Sequence, residues 1–404
     1  MLKYLKDISS GFFILVVAFS YSIYFVIATF LGIPQEGVVF RLYSGILAVV
    51  VAFVFFLSIH RIPRRIYIGG LLLCAIIILL YFSTRCFYDE VNNRYTSYFL
   101  SMGVRFIPAV LTGMYMLSHD DIMKKVEYAL LPFILLYTIT LASVAFTANI
   151  GVNIAQTFNT DFLNYQSISY YSIFAFGFNM YLIVQCSNSY TRYRRYILIA
   201  LAILQVIITI MAGGRGAFVL GCVFTLYFAL KHITFSKLIS YILIGLAVLL
   251  TINAILSDNE IFKMGFERIF NFFGNTEAIG TDNRWIRWNL AWNAFTKSPV
   301  FGHGLGSVFY EVGFYSHNIF TDMLCEGGVV LFLIFIFVLM KFIRASQILI
   351  TEDYRNEIIV IVFLCSFVMN SFSGYYLSDT GIWLSLTYVS VSYTHLTLPT
   401  KLEV

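Results

Sequence analysis

The sequence predicts an all-α polytopic membrane protein, and three observations carry that reading. Of its 404 residues, 60% are hydrophobic and only 12% are charged, roughly half the charged share of a soluble chain. Mean hydropathy is +0.83. The apolar residues also fall in runs of about 20, the length that crosses a hydrocarbon core as a helix. Six prolines and 26 glycines exclude a disordered or collagen-like chain.

Eleven runs read as helices, at about 12–32, 40–59, 66–83, 98–117, 127–147, 168–187, 196–212, 217–230, 238–256, 318–340 and 358–376, and a twelfth begins at Gly381. The expectation is therefore about 11–12 transmembrane helices. The first run follows Lys3 and Lys6 like a signal sequence. It is longer than a signal h-region and has no small-x-small cleavage site, so it reads as a retained helix. With the N-terminus inside, 15 of the 26 basic residues, among them Arg61, Arg64, Arg65, Arg192, Arg194 and Arg195, fall in inner segments. That is the positive-inside pattern. Short outer loops hold few, chiefly Arg85, Arg94 and Arg215. One outer segment, about 257–317, is far longer than an ordinary connection, and loops of that length tend to be functional.

No repeat or flexible linker divides the chain, so residues 1–390 read as a single membrane domain. Residues 391–404, including His395, resemble translated read-through of a sequencing adapter and are expected to be non-native. The six cysteines lie mostly inside apolar runs, with no zinc-type spacing, and read as small hydrophobes.

Polar residues of consequence in a membrane protein lie in cavities or at loop mouths, and three groups stand out on the outer side. Gly213, Gly214, Arg215 and Gly216 separate two apolar runs. A helix starting near Ala217 presents free amides and its positive dipole end there, and Arg215 adds a planar fork suited to phosphate. A glycine hairpin with Arg215 as a snorkelling anchor fits the same residues. In the second group, Trp285, Trp288, Trp292 and Phe295 make one helical stripe, with Arg284 at its edge and Arg287 further round. This suits a helix in the headgroup layer, with the arginines at phosphate depth or with the helix as a plain anchor.

The third group is Ser316, His317 and Asn318. Ser316 is the expected N-cap of the following helix, which puts His317 in a first turn that favours a neutral, proton-accepting ring. A histidine that only hydrogen-bonds its loop is the alternative. Upstream, Gly302, Gly304 and Gly306 read as a flexible turn through which backbone approaches a ligand. Arg105 lies about 10 Å below the outer face at 1.5 Å per residue and reads as functional or snorkelling. Asp379 in the last outer loop reads as orienting a sugar or basic partner, or as a turn residue. No HExxH, P-loop or carboxylate cluster is present, so no metal and no cofactor are expected, and nothing suggests nucleic acid.

In this order and orientation the motifs resemble the O-antigen ligase and O-antigen polymerase family of bacterial envelope glycosyltransferases. The resemblance rests on Gly213 to Ala217, on Arg284 and Trp288 with Ser298, Pro299, Gly302 and Gly304, and on Ser316, His317 and Asn318 with Glu326, Gly327 and Gly328. It covers roughly residues 196–340. It implies a C-type membrane glycosyltransferase fold and an undecaprenyl-pyrophosphate-linked glycan donor at the outer face of the cytoplasmic membrane. It also implies a glycan, lipid or protein acceptor, a metal-independent inverting transfer, Arg215 and Arg284 as pyrophosphate ligands, and His317 as base. Asp379 would match an acidic residue of a late outer loop. A polymerase extends another lipid-linked repeat, whereas a ligase transfers to lipid A-core or protein; the polymerase is the preferred expectation. The alternative from another class is a flippase for lipid-linked sugars, although such transporters place their polar residues near the midplane.

Overall fold

In the computed structural model the described residues are 2–33, 37–88, 90–149, 151, 153–158, 163–185, 191–232, 251, 254, 256, 258–270 and 283–397, and among them there is no strand. The principal helices are α1 (Leu2–Ala18), α2 (Ser20–Leu31), α3 (Gly37–Ser58), α4 (Arg64–Thr84), α5 (Asn93–Val104), α6 (Phe106–Tyr115), α7 (Ile122–Thr147) and α8 (Tyr165–Gln185). There follow α9 (Arg192–Met211), α10 (Arg215–His232), α11 (Glu260–Phe270), α12 (Asn283–Lys297), α13 (Ile319–Glu352), α14 (Glu357–Phe372) and α15 (Thr380–Thr397).

The all-α polytopic class is borne out. Eight helices among the described residues are long and apolar enough to cross a membrane, or nine if the bent pair α1 and α2 counts as one span. Three of the expected twelve runs account for the difference. The run 238–256 falls almost wholly outside the described residues. α10 is 18 residues long and carries Arg215, Lys231 and His232 at its ends. α15 mixes serines and threonines into its apolar residues, and it continues through 391–397 of the segment expected to be non-native.

Two runs that read as single helices are broken, one at Phe19 and one at Arg105, which leaves helical geometry (φ −127°, ψ −61°) between α5 and α6. The expected helix 358–376 stops at Phe372, which releases Ser373 to Asp379 as a loop.

The chain forms two compact units. The second comprises Tyr21–Glu36 and Leu130–Thr276. In it α8 packs on α9 and α10, and α9 packs on α11. A buried polar chain ties α8 and α9 to α7: the Asn179 amide donates to Gln205 Oε1 (3.2 Å), and Gln205 donates to Thr138 Oγ1 (2.7 Å). Such buried groups are tolerated because they are paired.

In the first unit, comprising Met1–Ser20, Gly37–Ala129 and Glu277–Val404, α15 packs on α6, α13 and α14. The feature that shapes this unit lies inside α13. Gly328 sits at φ 59°, ψ −157°, and the helix is interrupted there. A broken helix leaves carbonyls and amides open, and in an apolar medium each costs several kcal/mol unless it is paired. Here the segment after α12 pairs them. His303 N donates to Cys325 O (3.0 Å) and Gly304 N to Glu326 O (2.7 Å); in return Val329 N donates to Pro299 O (2.9 Å) and Val330 N to Val300 O (3.2 Å). The ring of His303 donates to Ala294 O at 2.9 Å, binding the same clasp to α12.

Contact this close requires glycine on both sides. A Cβ on Gly302 (φ 64°) would lie 2.5 Å from the Glu326 carbonyl, and one on Gly328 would lie 2.5 Å from the Val300 carbonyl. Of the three glycines read as a flexible turn approaching a ligand, Gly302 lies against helix backbone, Gly304 against the Thr84 side chain and Gly306 against the rings of Tyr81 and Tyr95. Gly328→Ala is therefore expected to destabilise the protein by about 2–4 kcal/mol, because a left-handed φ and an unyielding backbone contact act together. Gly45→Ala, in a helix with nothing within 4 Å of its Cβ, should be neutral or stabilising by up to roughly 1 kcal/mol. Thermal unfolding in detergent decides this: equal melting temperatures for the two variants would remove the clasp argument.

Candidate functional site

The first unit brings together Arg284, Arg287 and His317. Arg284 and Arg287 are three residues apart on α12 and so share a face. Arg287 Nη1 lies 2.5 Å from His317 Nε2. Guanidinium only donates, so this imidazole nitrogen carries the lone pair and the ring proton belongs on Nδ1. The Tyr315 ring stands 4.5 Å from the imidazole and Phe314 stands 5.6 Å away, with Arg287 over the Phe314 face at 4.8 Å. Of the expected aromatic stripe, Trp285 (44% exposed) and Trp292 (51%) stay on the surface, while Trp288 and Phe295 turn partly inward.

Why His317 points at Arg287 follows from its neighbours. Asn318, not Ser316, caps α13: it is extended (φ −149°, ψ 115°), and its side chain accepts from Phe320 N and Thr321 N. Ser316 is occupied otherwise. Its N–H donates to buried Asp322 Oδ1 (2.8 Å) and its hydroxyl pairs with Thr321 Oγ1 (2.6 Å). With both neighbours tethered, His317 lies outside the helix rather than in its first turn. It takes a left-handed backbone, φ 65°, which no other non-glycine among the described residues adopts. Such a conformation costs about 1–2 kcal/mol in an L-residue, and strain of this kind clusters at functional positions.

Arg284 is held from another loop. Its Nη2 donates to Ser373 Oγ (3.4 Å), and the Tyr315 hydroxyl donates to the Ser373 carbonyl (3.4 Å). Ser373 is in turn placed by Tyr375 and Tyr376, whose hydroxyls donate to the two oxygens of buried Glu326 at 2.8 and 2.6 Å. Burial and the Glu326 charge hold both phenols protonated, well above the ordinary tyrosine range. The expected sites did not include Ser373, Tyr375 or Tyr376. The apolar run through Tyr376 hid them, and the loop shows only where α14 ends.

Arg105 and Asp379, also in the first unit, make other contacts. Arg105 caps the break at the far end of α5, 5.3 Å from the Phe40 ring. It lies about 16 Å along the helix axis from Arg94, at 1.5 Å per residue, whereas Arg94 touches the His317 loop. Asp379 is buried and caps α15, accepting from Ile382 N and from the Asn370 amide, each at 2.8 Å. Burial raises its carboxyl pKa against those hydrogen bonds.

In the second unit, Arg215 opens α10 behind Gly213 (φ 66°), close to the expected start. Its Nε donates to the Arg268 carbonyl (3.1 Å), and Arg268 donates to the Tyr165 hydroxyl (2.8 Å). Arg268 was not among the expected residues. Its signal was the amphipathic stretch Glu260–Phe270, which lay hidden in what read as a loop.

Among the described residues no group of three or more His, Cys, Asp or Glu side chains is placed to hold a metal ion. The fold and this arginine–histidine arrangement define a polytopic helical membrane protein with a cationic site braced on loops. Residues 197–336 match the family described as O-antigen ligase. This stretch, which contains Arg215, Arg284, Arg287 and His317, supports a relationship to the O-antigen ligase/polymerase family over about a third of the chain. No curated protein and no solved structure matches the chain. The match supports a membrane enzyme of the ligase/polymerase type and, with the apolar helices, a multi-pass bacterial membrane protein; members of that family in general act on a lipid-linked glycan and an acceptor.

The left-handed turn yields a check independent of catalysis. His317→Gly is expected to be more stable than His317→Ala by about 1–2 kcal/mol, because both lose the ring and only alanine keeps the strain. At an ordinary position the order reverses. Melting temperatures of the two variants, in which alanine should be the lower, test the assignment.

Proposed function

We propose that the chain is a glycosyltransferase that takes glycan from an undecaprenyl-pyrophosphate-linked donor at the outer face of the cytoplasmic membrane. Its N-terminus is inside, as the distribution of basic residues indicates, and its acceptor is another lipid-linked repeat. The observation that carries this reading is the pairing of Arg287 on α12, beside Arg284, with His317 on the loop before α13, all inside the family-matched segment.

The reaction needs a base for the acceptor hydroxyl and positive charge for the leaving group. His317 Nε2 takes the hydroxyl proton once Arg287 turns aside. The acceptor oxygen forms its bond to the anomeric carbon as the bond from that carbon to the pyrophosphate oxygen breaks, with its electron pair going to the pyrophosphate. Attack opposite the leaving group inverts the anomeric configuration. Arg284 stabilises the charge that develops on the departing oxygen, the electrostatic contribution that is usually largest in such sites. Arg215, at a helix start behind two glycines, is proposed as a further pyrophosphate ligand on the strength of the family resemblance. None of these steps calls on a metal.

A transfer assay in proteoliposomes with an undecaprenyl-pyrophosphate oligosaccharide tests the reading. Wild type should make product without added metal. His317→Ala should lose about 10²–10⁴-fold in rate, the usual worth of a general base, and Arg284→Ala and Arg215→Ala about 10²–10³-fold each. Wild-type turnover by His317→Ala would remove the base. Movement of labelled donor across the vesicle without product would make the chain a transporter. In a deletion strain, loss of long chains while single repeats still reach the final acceptor marks a polymerase, and accumulation of long lipid-linked chains marks a ligase.

A further inference from the structure

A third arginine belongs to the His317 loop. Arg94 lies in the first turn of α5, where the Asn92 side chain accepts from Arg94 N and Tyr95 N. Its side chain is exposed, donates to the Gly313 carbonyl and lies over the Phe314 ring at 5.0 Å. The Arg287 guanidinium lies over the same ring at 4.8 Å. One aromatic side chain thus gathers two guanidinium groups beside the imidazole.

Nothing described compensates the two charges. Neither arginine forms an ion pair among the described residues. Glu311, in the segment leading to this loop, accepts instead from the Tyr88 hydroxyl at 2.8 Å. Placing Arg94 there also runs against helix electrostatics, because a cation in a first turn faces the positive end of the helix dipole. On the proposed orientation, both arginines lie on the outer face. Two guanidinium groups held within 5.0 Å of one ring centroid, neither ion-paired among the described residues, suit a phosphate oxyanion, which accepts from such forks.

We infer that Arg94 and Arg287, gathered by Phe314, form an anion subsite for a phosphate or pyrophosphate carried by the acceptor, separate from the donor phosphate at Arg284. This inference rests on the transferase reading and extends it. The two cationic arms reach His317 through adjacent rings: Arg284 by way of Ser373 and Tyr315, and Arg94 with Arg287 by way of Phe314. The acceptor anion competes with Nε2 for Arg287. The base lone pair is therefore released when an acceptor is loaded, and water gains little access to an activated base without one.

Calorimetry on the full chain in nanodiscs, with inorganic pyrophosphate as probe, tests the subsite. On an Arg284→Ala background, which weakens the donor side, binding should persist. Adding Arg94→Ala should weaken it about tenfold or more, and adding Arg94→Lys should weaken it less, since lysine keeps the charge but loses the fork. Unchanged helicity and melting temperature show that the variants are folded. An Arg94→Ala affinity within about twofold of its background, one-fifth of the expected effect, would overturn the inference.

Kinetics of Arg94→Ala in the Arg284 form supply the second arm. The value of kcat/KM should fall about tenfold for a phosphorylated acceptor and stay unchanged for the same glycan without phosphate. Equal losses on both acceptors would make Arg94 merely structural and overturn the proposal. If wild type transfers to no acceptor while the pyrophosphate result holds, the transferase reading fails and the anion subsite stands.

Discussion

An open peptide group in hydrocarbon has no water to turn to, and that penalty governs the unit that carries His317. α13 is broken at Gly328, and the carbonyls of Cys325 and Glu326 and the amides of Val329 and Val330 are all met by backbone of residues 299–304. Once that clasp is closed, the loop after α12 has no freedom to lie elsewhere. α12 is drawn against α13 through Ala294 and His303, and this fixes the two arginines relative to the histidine loop. The break also puts the Glu326 carboxylate inside the protein, where two tyrosine hydroxyls are needed to satisfy it. Those tyrosines hold the loop that bears Ser373, and Ser373 holds Arg284.

The electrostatics of the site follow from this scaffold. Arginine stays charged at any accessible pH, so gathering Arg94, Arg284 and Arg287 near one loop commits the region to anions. His317 among them meets Arg287 through Nε2, so this nitrogen presents its lone pair. The neutral ring is the one that accepts a proton. Keeping it there in a left-handed backbone requires the tethers on either side, Ser316 to Asp322 and Asn318 to the first turn of α13. The site is thus pre-organised by buried hydrogen bonds below it rather than by packing of the reactive side chains themselves.

How much of this could be read from the sequence depended on the range of the interaction. Hydropathy runs reflect local composition, so the all-α polytopic class and most helix positions were legible from them. Their interruptions were not. Phe19 and Arg105 sit in runs that stay apolar on both sides, so hydropathy carries no mark of the break. Arg284, Arg287 and His317 were legible as chemistry because their residue types are rare in an apolar chain. The cap was misplaced by two residues, since Ser316 and Asn318 are both good caps and the choice was made by Asp322, six positions away, taking the Ser316 amide. Ser373, Tyr375 and Tyr376 were illegible because tyrosine and serine next to an apolar run look like more of that run. Their meaning lies in Glu326, about 50 positions earlier.

The same dependence bears on how loss of activity should be read in this chain. Gly302, Gly304, Gly328 and Glu326 place no side-chain group against the His317 ring in this geometry, and yet the loops that carry the arginines and the histidine rest on them. A substitution at one of these positions would remove activity while leaving every reactive group intact, and in a turnover assay alone it would look like the loss of a catalytic residue. Stability separates the two cases. Damage to the clasp leaves backbone groups unpaired and must lower the melting temperature, whereas loss of Arg94 or Arg287, neither of which forms an ion pair among the described residues, removes like-charge repulsion along with its local contacts and costs the fold less. The glycines of the motif and its arginines therefore belong to opposite sides of the balance between stability and function. The fold bears the strained, charge-crowded loop because the clasp beneath it is fully hydrogen-bonded.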